Sequence, residues 1–571
     1  MNRKLLDNTV TFLLLSTVFV CIGTEFVINL TPPISRDALI HHLAIPKLWL
    51  KHGGFYEIPW ADYSYYPMYI NLLYFICLYF KNDIIPKIIH LAFGLGTGGL
   101  IYGYLKHKFD RNWGLLGMLI FITTPIVLWL STSAYIDLGM TFFTTGSVLA
   151  FIKWRDSEYR QFKWLLISSC CMGIAIGSKY NGLIAWLILN LILMLSYAKD
   201  TQRQIATLKY GIMFFMITAI VASPWYLKNY FQTGNPFYPL FNSFFQSLHH
   251  QPVQEIMRHQ AGEKIGQLGF FKMREVMYGE NFWETLLIPI RMFFQGEDNS
   301  YRYFQGILNP ILVLFSPFIL LNKKYGRDKY LFALFSIFFI FMAYFLTEKQ
   351  VRYILPTIPF LAILAVMGIK DLVDKIGGKF FYSPLIFNKN AKSISRIFIF
   401  AIVAILLTFN FIYLKNRMDI MKPLQYLFGQ ETKNAFLKRH LLHYDAVKYI
   451  NTHLPADAKL FTMFLGRRGY YMERIYKNEA SFGRNTINQM INSSVTEDSF
   501  KEFIRSMQVT HILMRTDLVD NYLKINFSQK QIKRLMNLKR KYWYRVYENN
   551  GYTVWDIQTN SSYHQRLSEE D

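Results

Sequence analysis

The sequence predicts a polytopic α-helical membrane protein with about eleven spans, followed by a small α/β domain at its C-terminal end. Three observations predict it. Of 571 residues, 52% are hydrophobic and only 18% charged, against roughly 25% charged in soluble domains. Apolar runs long enough to cross a bilayer recur between residues 9 and 414. Lysine and arginine gather in alternate connections between those runs. Together these exclude a disordered chain, a disulfide scaffold and an ordinary soluble enzyme.

The first run, about 9–30, follows Asn2-Arg3-Lys4. It is long for a signal peptide and lacks a small-x-small cleavage site, and bulky Phe19 and Val20 before Cys21 argue against lipoprotein processing. It is expected to be an uncleaved first helix with a cytoplasmic N-terminus. Further spans are expected near 86–105, 113–131, 136–153, 164–180, 182–198, 210–227, 305–322, 330–347, 353–370 and 397–414. The run from Met68 to Phe80 would reach only about 20 Å as a helix, short of the roughly 30 Å hydrocarbon core. It is read as re-entrant or interfacial.

Charge tests that reading. With 68–80 not spanning, the basic loops 106–112, 153–163, 199–209, 323–329 and 370–396 all fall on the cytoplasmic side, as the positive-inside rule requires. The net charge of +24 then reflects loops beside anionic lipid and not a nucleic-acid partner. Three stretches face outward: 31–85, 228–304 and the tail after about 415. The expected domains are a membrane domain, 1–428, and an extracytoplasmic α/β domain, 429–571. In the latter, Asp445 to His453 has the pattern of an amphipathic helix. Leu460–Leu465, His511–Met514 and Tyr552–Ile557 read as strands.

Candidate chemistry sits in the outward segments. Asp37 follows Pro32-Pro33 and opens a helical pattern that places His41 on the same face. It is either a helix-start carboxylate or a general base at the membrane surface. Asp137 stands at the outward start of the fourth span, where ionisable groups are costly and tend to be functional. Lys179 and Arg352 break the charge asymmetry on the outward side. Each alone is explained by snorkelling; together they suggest a phosphate site. Thr233-Gly234-Asn235-Pro236 is turn chemistry, with Asn229 nearby as a further candidate. Gly94-Leu95-Gly96-Thr97-Gly98-Gly99 fits a dinucleotide fingerprint formally, but inside a span it signals close helix packing. His249, His250 and His259 have no clear third metal ligand.

Read in order, these residues resemble the membrane glycosyltransferases of the GT-C class, nearest the bacterial protein O-mannosyltransferases and the lipid A aminoarabinose transferase. The resemblance is carried by Arg36-Asp37-Ala38, Tyr66-Pro67-Met68, Tyr135-Ile136-Asp137 and Gly177-Ser178-Lys179-Tyr180. Ser223-Pro224-Trp225, Thr233-Gly234-Asn235-Pro236 and Arg352-Tyr353-Ile354-Leu355-Pro356 continue it. It implies a polyprenyl-phosphate sugar donor, inversion at the anomeric carbon, and a catalytic carboxylate in the first outward loop, which maps onto Asp37. The class often shows Asp-Glu there, whereas Ala38 follows Asp37. Lys179 and Arg352 would hold the phosphate, while His42, Asp137, Tyr66 and Asn229 would bind sugar or acceptor. No cofactor is implied with certainty, and a divalent cation stays open. The acceptor is a glycan, lipid or protein, the membrane lipid is a further partner, and the expected location is a bacterial inner membrane with a periplasmic C-terminal domain. The rival reading is a transporter or flippase of lipid-linked saccharide, which predicts internal repeats and charges in broken helices at mid-membrane. A lipid-linked-sugar ligase or polymerase is a further rival, without the Asp37 loop and folded tail.

Overall fold

The computed structural model describes residues 3–248, 269–320, 322, 326–377, 389–479 and 484–557. Its internal contacts divide the chain into two units. One comprises Met1–Thr31, Tyr66–Cys77 and Asn82–Leu424; the other comprises Pro32–Tyr65, Leu78–Lys81 and Gln425–Asp571. Residues 32–65 and 78–81 of the expected first loop, which the sequence attaches to the membrane domain, are thus grouped with the C-terminal residues.

The first ten α-helices are α1 (Arg3–Asn29), α2 (Ala44–His52), α3 (Tyr69–Tyr79), α4 (Ile85–Lys108), α5 (Arg111–Thr123), α6 (Pro125–Ser131), α7 (Asp137–Asp156), α8 (Phe162–Ser178), α9 (Asn181–Thr201) and α10 (Gln204–Thr233). All but α2 and the last two residues of α3 belong to the first unit, as do the helices Asp328–Leu346, Ile358–Gly377 and Lys389–Met421. Among the described residues, seven helices are long and apolar enough to cross a bilayer, and the bent pair α5–α6 makes eight. The expected count of about eleven is not met by that measure, and the reasons are local. The α7 helix has 20 residues but carries Asp137, Lys153, Arg155 and Asp156. The α8 helix has 17 residues. The expected span 305–322 is broken into Ile311–Leu314 and Ser316–Leu320 just before Pro317, which cannot donate to the preceding turn. The α5–α6 bend of 69° sits at Thr124, held extended (ψ 127°) because Pro125 follows it. As the short apolar run predicts, α3 has only 11 residues.

The faces of this unit can be read from its polar contacts. At one end, Asp328 accepts hydrogen bonds from Tyr104 (2.7 Å) and Lys108 (3.3 Å) and pairs with Arg155. Asp200 accepts from Tyr159 (2.9 Å) and pairs with Arg327. Lys370 lies 5.4 Å from the Phe109 ring centroid. Thr11, near the start of α1, donates to Asn112 at 2.5 Å. Residues from each of the five basic loops and the beginning of α1 therefore gather at one end, as charge alternation predicts; Lys323 and Lys324 lie outside the described residues. Polar groups at the other end of the helices form the site described below. Between the two ends, glycine allows close packing. A Cβ on Gly96 would meet Phe142 at 2.9 Å, and one on Gly98 would meet Ile122 at 3.0 Å, the packing role expected of this glycine run.

The second unit is built on a five-stranded sheet of β1 (Lys459–Met463), β2 (Ile475–Asn478), β3 (His511–Arg515), β4 (Tyr544–Asn549) and β5 (Tyr552–Asp556), in the order β2-β1-β3-β5-β4. The β1 strand runs parallel to both β2 and β3 (Leu460 opposite Tyr476 and His511), while β5 is antiparallel to β3 and β4. Alternation along β3 sends Ile512 and Met514 to one core and Leu513 to the other. The first core packs under helices 484–493, 497–506, 516–526 and 529–542 through Ile491, Phe500, Leu523 and Leu535. The second is closed by Val447 and Ile450 of the expected amphipathic helix, observed as Tyr444–His453, with Leu48 and Trp60 of the first loop against it. Polar contacts fasten that loop further. Lys47 pairs with Glu473 at 2.6 Å, Lys51 donates to the Glu473 carbonyl at 2.9 Å, and Tyr471 donates to the Pro33 carbonyl at 2.7 Å.

Candidate active site

In the first unit, Asp137 is the first residue of α7 and is 1% exposed. A carboxylate there meets the free N–H groups and positive dipole end of the helix. The α8 helix ends at Ser178, so Lys179, in extended backbone, projects from its terminus. Its ammonium donates to Asp137 Oδ1 at 2.5 Å and lies 5.1 Å from the Tyr353 ring centroid. Asp137 Oδ2 is buried without a hydrogen-bond partner. Arg352 comes from a short helical turn, Val351–Thr357. Its guanidinium lies 5.8 Å from the Tyr135 ring and 5.3 Å from the Tyr353 ring, and its Nε donates to Gln350 at 2.9 Å. The charges of Lys179 and Arg352 both act on Asp137. One carboxylate thus faces two cations on a lattice of aromatic rings.

The next shell fixes these groups. His90, wholly buried in α4, donates from Nδ1 to the Leu130 and Ser133 carbonyls (both 2.9 Å) and accepts the Leu138 N–H at Nε2 (2.9 Å). That arrangement requires a neutral ring protonated at Nδ1, and it satisfies a free donor in the first turn of α7. Tyr74 donates to the Tyr135 carbonyl. Asn181 donates to the Tyr353 carbonyl at 3.4 Å. Tyr66 meets Tyr180 edge-on, with centroids 5.3 Å apart. Tyr180 donates to the Tyr238 carbonyl at 2.7 Å, and Asn229, fully buried, donates to the Tyr180 hydroxyl and the Pro236 carbonyl, both at 3.4 Å. Asn229 thereby ties Tyr180 to the expected turn, where Gly234 has φ +71° and caps α10. Next to Tyr353, a cleft with about 260 Å³ of open space is lined by Tyr344, Lys349 and Gln350. Burial lowers the Lys349 ammonium to about 8, with Arg274 adding to the effect.

Asp37 and His42 belong to the second unit. Asp37 is half-buried and precedes a widened helical turn, Ala38–His42, closed by a Leu43 N–H to Ala38 carbonyl bond of 2.9 Å. Its side chain makes no capping hydrogen bond, so the helix-cap reading of this carboxylate is not realised. His42 is 4% exposed, and its ring lies 3.9 Å from that of His41, which stacks on Tyr63 at 4.6 Å. Among the described residues, no three His, Cys, Asp or Glu side chains converge into a group able to hold a metal ion. His249, His250 and His259 lie outside the described residues.

The sequence reading missed His90, Tyr74 and Asn181. His90 carried a usable signal, because an ionisable ring in the middle of an apolar span is expensive unless it is fully bonded. The structure groups Asp137, Lys179, Arg352, Tyr66 and Asn229 in one unit, and Asp37 with His42 in the other.

The fold is that of the GT-C glycosyltransferases, the class that the sequence resembles, and its long apolar helices are those of an integral membrane protein. Residues 72–245 match the family model described as dolichyl-phosphate-mannose-protein mannosyltransferase, a stretch that holds Asp137, Lys179 and Asn229. The fold is similar to that of ArnT from Cupriavidus metallidurans in the apo state (TM-score 0.55, 14% identity, covering 96% of this chain and 98% of that one). It is likewise similar to ArnT from the same organism bound to undecaprenyl phosphate (TM-score 0.54, 14% identity, 96% and 99%). The archaeal oligosaccharyltransferase AglB from Archaeoglobus fulgidus, in complex with an inhibitory peptide and a dolichol-phosphate, is also similar (TM-score 0.53, 12% identity, 96% and 74%). Among curated proteins none matches.

Proposed function

We propose that the protein transfers a sugar from a polyprenyl-phosphate donor to an acceptor hydroxyl, with inversion, at the outer face of a bacterial inner membrane. The observation that carries this reading is the buried Asp137–Lys179 pair with Arg352 beside it. Two cations fixed by one carboxylate and a set of rings can receive a phosphate without rearranging. In the proposed step the Asp37 carboxylate takes the proton from the acceptor hydroxyl. The acceptor oxygen bonds to the anomeric carbon as the bond from that carbon to the phosphate oxygen breaks. The polyprenyl phosphate leaves with the electron pair, and Lys179 and Arg352 stabilise its charge. A single displacement inverts the centre. Phosphate is already a good leaving group, so no acid is needed to protonate it. Asp137 orients Lys179, while His42, Tyr66 and Asn229 shape the binding region.

Eleven crossings, with the N-terminus cytoplasmic and the C-terminal unit periplasmic, complete the proposal. In support, α7 begins at the Asp137 cluster and ends at the Arg155 cluster, and its 20 residues rise about 30 Å, the hydrocarbon thickness. Its charged residues lie at its two ends and do not shorten it. The test is radiolabel transfer from polyprenyl-phosphate sugars in proteoliposomes. Asp37→Asn is expected to lower transfer by roughly 10²–10⁴-fold, the usual scale of general-base catalysis. Retained transfer would remove Asp37 from the base role. Substrate-dependent flux without transfer in the wild type would favour a transporter.

A further inference from the structure

The second unit contains a cleft that the proposed chemistry leaves unused. It has about 310 Å³ of open space, and Trp60, Asp62, Tyr63, Arg467, Tyr476 and Asn478 line it. It opens at the carboxyl ends of β1 and β2. The β1 strand there lies between two parallel neighbours, so the chain leaves it toward β2 on one side and later returns to β3 on the other. Open α/β sheets place ligands in the crevice at such a reversal. The loop after β1 is shaped for this position: Phe464, Gly466 and Arg467 all have positive φ (55°, 66° and 62°).

The lining has a definite chemistry. Trp60 and Tyr476 meet at 61° with centroids 5.6 Å apart, forming an aromatic corner. Gly469 packs directly on the Tyr476 ring, leaving no room for a Cβ. On the opposite side Arg467 pairs with Asp62 at 3.6 Å, and its guanidinium lies 5.8 Å from the Tyr63 ring. Asn478 donates to the Arg467 carbonyl at 3.1 Å and accepts from Thr462 at 2.6 Å, which fixes the loop. With Tyr476 buried behind Trp60, the cleft offers the part-exposed Trp60 and Tyr63 rings, a carboxylate acceptor and guanidinium donors, while its charge sums to zero. That combination disfavours an isolated anion or cation and suits a ring with an apolar C–H face and hydroxyls at its edge. Tyr63 in the cleft wall stacks on His41, which follows Asp37 by four residues in the sequence.

We infer that this cleft binds a neutral pyranose ring and is the acceptor subsite of the transferase. The word acceptor rests on the proposed function; the binding itself does not. The test is saturation-transfer NMR on the full chain in lipid nanodiscs without donor, using the methyl glycosides of glucose, galactose, mannose and N-acetylglucosamine, with glucuronate as an anionic control. At least one neutral glycoside should show ring C–H signals that fall at least tenfold in Trp60→Ala and persist in Trp60→Phe. Gly469→Ala, which displaces the Tyr476 ring without removing a lining group, should also weaken binding and serves if Trp60→Ala does not fold. Absence of signal from every neutral glycoside, equal signals in both altered forms, or stronger binding of glucuronate would overturn the inference. Glycoside binding in a protein that never consumes a polyprenyl-phosphate sugar would overturn the transferase reading and leave the saccharide site standing.

Discussion

Replacing Lys179 with methionine keeps most of the side-chain volume but removes the ammonium that lies 2.5 Å from Asp137. Asp137 is 1% exposed and its other oxygen has no partner, so the substitution strands a carboxylate away from water. Breaking a buried pair from one side costs about 3–5 kcal/mol, whereas removing both charges can be nearly neutral. Arg352 still acts on Asp137, which points to the lower end of that range. Asp137→Asn combined with Lys179→Met should recover most of the loss. Thermal unfolding of the full chain, followed with a thiol-reactive dye on buried Cys21 and Cys77, reads this directly. Lys272→Met, which removes an exposed pair with Glu275, supplies the comparison at no more than about 1 kcal/mol. The reasoning fails if Lys179→Met is no worse than Lys272→Met, or if the double substitution is no more stable than Lys179→Met alone. Transfer should stay low in both altered forms, because the proposed phosphate contact is absent from each.

Other expectations follow from the same structure. Burial raises the Glu479 carboxyl to about 7, so the unfolded chain releases that proton first as pH rises. Local stability around Glu479 should therefore be complete below about pH 4.5 and decline as pH passes through about 7, and Glu479→Gln should flatten that decline in hydrogen exchange of the helix beginning at Arg484. Gly368→Ala would drive a Cβ into the Phe315 carbonyl, whereas Gly99→Ala meets nothing within 4 Å. The first should cost at least about 1–3 kcal/mol because a backbone group cannot rotate away, and the second should be neutral in the same melting assay.

Much of this protein was legible in the sequence because lipid imposes a simple rule: long apolar runs and basic clusters on one face. The contacts among Asp328, Arg155, Asp200 and Arg327 agree with the loop grouping that the charge pattern predicts. Span length was less legible, since the Thr124-Pro125 bend and the break at Phe315 depend on how single residues end a helix. In the sheet, the three strands anticipated from sequence are the central ones, β1, β3 and β5. The two that escaped notice, β2 and β4, are its edges, where one side faces no partner and charged residues such as Arg545 and Glu548 interrupt the alternation.

The sequence by itself determined the membrane class, the gathering of the basic loops at one end, and the residue types of the candidate site: Asp137, Lys179 and Arg352 each stood out as charges in apolar surroundings. Only the tertiary structure decided that these three meet, since 42 residues separate Asp137 from Lys179 and no local periodicity links them. It likewise assigned His90 to the start of α7 and the first loop to the C-terminal sheet. Such pairings are set by which surfaces exclude solvent together, and a single chain of letters records the surfaces without recording their partners.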